Sequence, residues 1–237
     1  MSTSPSSPAT ALLERIEIES APNPTAAVIW LHGLGASGDD FAAVVPQLDL
    51  AGCAAIRFIF PHAPTMPVTV NNGYVMPAWY DIFTAELVRR EDGPGIQASA
   101  RAIEALIANE AARGIPAERI VLAGFSQGCA MALHTGLRHP ARLAGIMALS
   151  GYLPLAGTLA AERHPANQHT PVFMAHGTAD PVVVLARAED SRRALEAMGY
   201  PVQWRTYPMP HSVHPQEVAD LCRFLQAVLP AAGMPRA

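Results

Sequence analysis

The stretch Gly124-Phe125-Ser126-Gln127-Gly128 constrains this chain more than any other. It follows Arg119-Ile120-Val121-Leu122-Ala123, an apolar run suited to a buried strand. It precedes Cys129-Ala130-Met131-Ala132-Leu133, which suits a helix packed on a sheet. Strand, tight turn and helix with G-x-S-x-G at the turn is the arrangement of a nucleophile elbow. The glycines have a mechanical role. The apical serine sits in a strained backbone conformation, and its neighbours must be nearly free of side chain for the turn to pack. The following helix aims free N–H groups and partial positive charge at the serine, which favours an oxyanion beside it. Ser126 is the candidate nucleophile.

A serine nucleophile needs a base and an acid that orients it, in the chain order Ser, acid, His for this kind of elbow. Pro171-Val172-Phe173-Met174-Ala175 reads as a buried strand and runs into His176-Gly177-Thr178-Ala179-Asp180. That loop lies at the carboxyl end of a strand, where sites collect in α/β sheets. Asp180 is the candidate acid. Val202 to Tyr207 alternates like a strand and leads to Pro208-Met209-Pro210-His211-Ser212-Val213-His214-Pro215. His211 is the candidate base. His214 precedes Pro215 and reads as the loop's end at a helix start, with Pro215 in the first helical position. His176 reads as a packed or hydrogen-bonded residue. His134, His139, His164 and His169 read as surface or satisfied residues. Asp190 and Asp220 read as solvated. Asp81 is the rival acid, but it precedes the serine.

An oxyanion hole needs backbone N–H groups about 3 Å from the developing charge. One comes from the residue after the nucleophile, Gln127. The other comes from the loop after the apolar strand Ala26 to Leu31, which opens into His32-Gly33-Leu34-Gly35-Ala36-Ser37-Gly38. Leu34 or Gly35 is placed to supply it. Glycine-rich strand-to-helix turns also bind dinucleotides, but Arg57 and Phe58 stand where that motif needs an acid about 20 residues on. Asp39 and Asp40 read as a helix start.

Several motifs together resemble the acyl-protein thioesterase, lysophospholipase and carboxylesterase family of α/β-hydrolases. They are Leu31-His32-Gly33-Leu34-Gly35, Phe60-Pro61-His62-Ala63-Pro64, Pro67 to Gly73, Trp79-Tyr80-Asp81, the elbow, Leu149 to Pro154, and Met209-Pro210-His211-Ser212-Val213. They run in order from about Ala26 to Leu229. The resemblance implies an α/β-hydrolase fold, a mostly parallel central sheet with helices on both faces. It implies Ser126, Asp180 and His211 as the triad, Leu34 and Gln127 as oxyanion donors, and a flap over the acyl site from Thr65 to Trp79. Two positions depart from the family pattern: Cys129 where Gly is common, and His214 where Cys or a small residue is expected.

The segment from His62 to Ile82 is apolar for a surface loop, so it needs something to cover. Its Met66, Val68, Val70, Met76 and Trp79, with Tyr152 and Leu153 after the strand ending at Ser150, are the candidate acyl contacts. The chemistry expected is cleavage of carboxylic esters of short to medium acyl chains through an acyl-serine. Acyl-protein thioesters and lysophospholipids pass through the same intermediate, so the triad does not separate them. A binding protein on a hydrolase scaffold is the alternative class.

Strand-like and helix-like segments alternate along the chain, which indicates an α/β sheet. Arg15 to Glu19 reads as an edge strand, 61–77 as a long structured loop, 96–113 as a helix with an apolar face, and 156–170 as a polar loop. Residues 1–12 read as a disordered tail and 13–237 as one domain. Of 237 residues, 50% are hydrophobic and only 15% charged, as a parallel sheet buried on both faces requires. The net charge of −4 carries no basic patch, so nucleic acid is not an expected partner. No apolar run approaches the roughly 20 residues that span a bilayer. Three cysteines without metal-ligand spacing suggest reduced thiols, a cytoplasmic protein, and neither metal nor cofactor. The expected partner is a small-molecule or acylated substrate, and a homodimer is left open.

Overall fold

Strands buried along their whole length and an apolar stripe on the helices build a sheet covered on both faces. The computed structural model describes residues 12–84, 90–231 and 233. The stretch expected to be a tail lies outside them except for Leu12.

The strands are β1 (Arg15–Glu19), β2 (Ala26–Leu31), β3 (Ile56–Pro61), β4 (Thr65–Val68), β5 (Tyr74–Pro77), β6 (Ile120–Phe125), β7 (Gly145–Leu149), β8 (Val172–Gly177) and β9 (Val202–Tyr207). The helices are α1 (Asp39–Ala42), α2 (Gly93–Ala112), α3 (Gln127–Arg138), α4 (Ala156–Glu162), α5 (Leu185–Ala197) and α6 (Pro215–Val228). Seven strands pair in the order β1-β3-β2-β6-β7-β8-β9. All neighbours are parallel except the edge strand β1, which runs antiparallel to β3. This is the α/β-hydrolase arrangement.

Both faces of β2 are buried, and alternate residues serve different cores. Ala27, Ile29 and Leu31 join Ile103, Leu106 and Ile107 of α2 and Met131 and Leu133 of α3. Ala26, Val28 and Trp30 join Phe41 of α1 and Leu221, Phe224 and Leu225 of α6. Burying each such side chain is worth roughly 1.5–3 kcal/mol, which is why strands with no polar face read as continuous apolar runs. The parallel order brings the carboxyl ends of β2, β3, β6, β7, β8 and β9 to one edge of the sheet, and every candidate site loop leaves from one of those ends.

Two segments differ from the expectation. The stretch 61–77 is not irregular: β4 and β5 form an antiparallel hairpin, with Met66 opposite Met76 and Val68 opposite Tyr74. Asn72 and Gly73 turn the chain at φ 56 and 75, the left-handed pair that Asn-Gly supplies in tight hairpins. Its prolines masked that signal. Within 156–170, Ala156–Glu162 is helical and buries Leu159 completely. One buried leucine in an Ala-rich turn suffices for a short helix docked on the core, and the polar residues around it hid the stripe.

Candidate active site

Ser126 stands at the junction of β6 and α3, with φ 56 and ψ −115. A non-glycine residue is held there only by its surroundings. A Cβ on Gly124 would collide with the Gly128 backbone, and one on Gly128 would collide with the Leu31 and His32 carbonyls. Both glycines of the motif are therefore required by backbone approach alone. Ser126 N donates to Leu149 O at 2.9 Å, fixing the turn to β7.

Asp180 and His211 come from different strand ends and meet. A Cβ on Gly177 would strike the carbonyls of Met209 and Pro210, so the two loops pack backbone on backbone. His211 Nδ1 lies 2.7 Å from Asp180 Oδ2. The other carboxylate oxygen accepts from Val182 N at 2.8 Å and Val183 N at 2.9 Å. A carboxylate can only accept, so His211 Nδ1 carries the hydrogen and Nε2 is left as the nitrogen that can take a proton. The Phe125 ring lies 4.7 Å from the His211 ring, centre to centre. His211 and Ser126 line the same groove.

The rival residues have other work. His176 is fully buried, and its Nε2 donates to Val183 O at 2.7 Å. Burial pushes its pKa down. Asp81 accepts from Thr69 N at 2.7 Å and from the Thr69 hydroxyl at 2.6 Å, pinning the hairpin. His214 caps α6: its Nδ1 accepts from Gln216 N at 3.1 Å, and Glu217 answers by accepting from His214 N at 3.2 Å. Two minor expectations are corrected. His139 is buried and satisfied, bonding Glu104 at 2.7 Å, but His134 is buried with its Nδ1 unpartnered among the described residues, neither on the surface nor satisfied. Asp220 is also buried and accepts from the Tyr207 hydroxyl at 2.7 Å, so it is not simply solvated. His134 and Asp220 sit on the inward faces of α3 and α6, which the sequence pattern alone did not orient.

The loop after β2 is held by His32, whose role was not legible beyond its motif. His32 is 1% exposed. Its Nε2 accepts from Ala63 N at 3.0 Å, so Nδ1 must be the donor to Gly33 O, 2.7 Å away. In a trans peptide the N–H points opposite to the C=O. With the Gly33 carbonyl tied to His32, the N–H of Leu34 faces the other way, and Leu34 and Ser126 line the same space. Burial pushes the His32 pKa down, while the Gly33 bond and the charge of Asp40 act in the opposite direction. The N–H of Gln127, first residue of α3, has no partner inside the helix.

Two cavities meet at Ser126. One, of about 330 Å³, is bounded by Val70, Tyr80, Ile82, Tyr152 and Val183. The other, of about 710 Å³, runs past Asp40, Phe41, Val44, Phe125, His211 and Val213. Leu34 and Val182 border both. Of the expected acyl contacts, Val70 and Tyr152 line the smaller cavity. Val68 and Trp79 do not: each is fully buried, so neither offers surface to a ligand. Trp79 Nε1 instead donates to His32 O at 2.9 Å. Leu153 is 5% exposed and its N–H goes to Ser191 Oγ at 2.9 Å. Met66 and Met76 face each other across the hairpin outside both linings. Apolar composition marks burial without saying whether the partner is core or ligand. Ile82 and Val183 were missed, since neither stands out in a generally apolar chain.

Cys129, at the position departing from the family pattern, is buried beside Gly151, whose hydrogen leaves room for its side chain. Burial drives its thiol pKa up, although the Tyr152 and Gly151 amides act against that. Among the described residues no group of His, Cys, Asp and Glu is arranged to hold a metal, and no helix is long and apolar enough to cross a membrane.

Residues 13–229 match the phospholipase/carboxylesterase family. The acyl-protein thioesterase 1 of Neurospora crassa is 46% identical over 220 residues, covering 87% of this chain and 88% of that protein. The Schizosaccharomyces pombe acyl-protein thioesterase 1 is 45% identical over 186 residues, 78% of this chain and 82% of that protein. The solved structure of Zea mays acyl-protein thioesterase 2 superposes with a TM-score of 0.80 at 31% identity, covering 90% of this chain and 99% of that one. Arabidopsis thaliana SOBER1 gives 0.81 at 28% identity over 86% of this chain and 99% of that one. The chain therefore belongs to the phospholipase/carboxylesterase family of α/β-hydrolases, serine hydrolases that act on acyl esters.

Proposed function

We propose that Ser126, His211 and Asp180 form the catalytic triad and that the N–H groups of Leu34 and Gln127 form the oxyanion hole. The observation that carries this is the 2.7 Å bond from His211 Nδ1 to Asp180, on a histidine that shares a groove with Ser126. In the first step His211 Nε2 takes the Ser126 hydroxyl proton as Oγ bonds to the acyl carbon. The carbonyl oxygen becomes an oxyanion held by the two N–H groups. The tetrahedral species collapses, the bond to the leaving group breaks, and His211 returns its proton to the departing oxygen or sulfur. Water then attacks the acyl-serine, again through His211, releasing the acid and restoring the hydroxyl.

The acyl chain occupies the smaller cavity, whose walls are Val70, Ile82, Tyr152 and Val183. Esters of short to medium acyl chains fit this reading. A second reading is an acyl-protein thioesterase, favoured by the relatives of that name at 35–46% identity and by an open groove able to take a large leaving group. The unpaired thiols of Cys53, Cys129 and Cys222 favour a reducing, cytoplasmic setting.

The test is Ser126→Ala with a folded-state control by circular dichroism. Activity on p-nitrophenyl butyrate should fall on the order of 10⁶-fold, and a fluorophosphonate should label wild type at Ser126 alone. Labelling elsewhere, or substantial activity in the variant, rejects the assignment.

A further inference from the structure

We propose that the 710 Å³ groove beside Ser126 is the leaving-group site, and that Asp40 makes it select cationic over anionic leaving groups. The proposal rests on Ser126 being the nucleophile. It adds which side of the serine each half of the substrate takes, and the charge the enzyme prefers there.

The two cavities share Ser126, and Leu34 and Val182 stand between them. Their walls differ in kind. The smaller is lined by apolar and aromatic side chains with the amides of Asn71 and Gln127, and none of the described residues bordering it is charged. The larger contains His211 and Asp40. His211 must return a proton to the departing atom, so the leaving group has to lie on the His211 side. That geometry alone assigns the groove to the leaving group and the smaller cavity to the acyl chain.

Among the described residues lining the groove, Asp40 carries the only permanent charge. Its carboxylate is exposed, and among the described residues no hydrogen bond or ion pair engages it, whereas its neighbour Asp39 accepts from Ser37 Oγ at 2.8 Å. Phe41, Val44 and Val213 form apolar walls around it. A free charge on a low-dielectric groove acts on a passing ligand more strongly than the same charge on open surface. The chain's net charge of −4 has the same sign. An acyl group on a lysine- or arginine-flanked peptide, or on a small ammonium thiol, meets attraction here. One carried on a phosphate or sulfonate meets repulsion. Because Asp40 is exposed, the effect is modest and screened by salt.

Three octanoyl thioesters of similar size test this on the full chain: those of thiocholine (cationic), N-acetylcysteamine (neutral) and 2-mercaptoethanesulfonate (anionic). Intrinsic reactivity cancels when kcat/KM for each is divided by its value in Asp40→Asn. At low salt this quotient should run cationic over neutral over anionic, about three- to fivefold per step. In 0.5 M NaCl the order should collapse. Asp40→Lys should reverse it. Equal quotients for the three substrates overturn the proposal, as does an order that survives high salt. If the nucleophile assignment were wrong instead, fluorophosphonate would not label Ser126, while charge selection could persist.

Discussion

Gln127 holds the chain at Trp79 from the first turn of α3. Its Oε1 accepts from Trp79 N at 2.8 Å, and its Nε2 donates to Tyr80 O at 2.7 Å. One side chain thereby ties the end of the flap to the residue whose own N–H is proposed to bind the oxyanion.

Gln127→Ala keeps the backbone N–H but leaves two buried backbone groups unpaired, a cost of about 1–3 kcal/mol each before relaxation. The variant should melt several degrees lower and show a raised KM for octanoyl esters, because the wall that Tyr80 contributes loosens. A melting temperature and KM both equal to wild type would mean that the clamp is not structural.

His32 offers a second test, because it acts on the hole only through the Gly33–Leu34 peptide. His32→Ala frees the Gly33 carbonyl to rotate, and kcat should fall by about 10- to 100-fold, less than the 10²–10³ typical of losing a donor outright. KM should change little. His32→Asn, which can still donate to Gly33 O, should recover much of the rate. Equal losses in both variants would assign His32 to packing alone.

Glu217 is fully buried with Oε1 unpartnered. Burial pushes its pKa up from 4.5 to about 7; the His214 N–H opposes this and the charge of Asp220 adds to it. An acid whose folded pKa is raised binds its proton more tightly in the native chain, so its contribution to stability is complete below about 4.5 and is lost as pH rises toward 7. At about 1.4 kcal/mol per pH unit the loss reaches up to about 3 kcal/mol. Glu217→Gln keeps an acceptor for His214 N–H and removes the charge. It should match wild type near pH 4.5 and exceed it in thermal stability at pH 8. Parallel stability curves across that window would contradict the assignment.

The smaller cavity makes chain-length preference testable. Each methylene buried there contributes about 0.8 kcal/mol at most, so kcat/KM should climb from acetate to longer esters until the cavity is full. Val70→Ser and Ile82→Ser should each lower octanoate turnover about three- to tenfold while leaving acetate nearly unchanged. Met66→Ser and Met76→Ser, on the hairpin outside the lining, should have the weaker effect. The reverse ranking would return the acyl site to the methionines.

Local chemistry determined much of this protein from sequence alone. The elbow at Ser126 needs two bare glycines and a following helix within five residues. Parallel strands buried on both faces must be apolar throughout. His214 precedes a proline at a helix start and is drawn into capping. Such features are set by near neighbours along the chain, so β2, β6, β8, α3 and α6 and the loops bearing Ser126, Asp180 and His211 were legible in it. What required the tertiary structure depends on groups far apart in sequence meeting in space. Trp79 and Val70 look alike as apolar flap residues. One is sealed under His32 and the other faces a cavity, and only packing across β2, β5 and α3 decides between them. The hairpin at 65–77 was hidden by prolines that its edge position tolerates. The partners of His32, the clamp by Gln127 and the bare carboxylate of Asp40 have no sequence signature, because each arises where the ends of different strands converge.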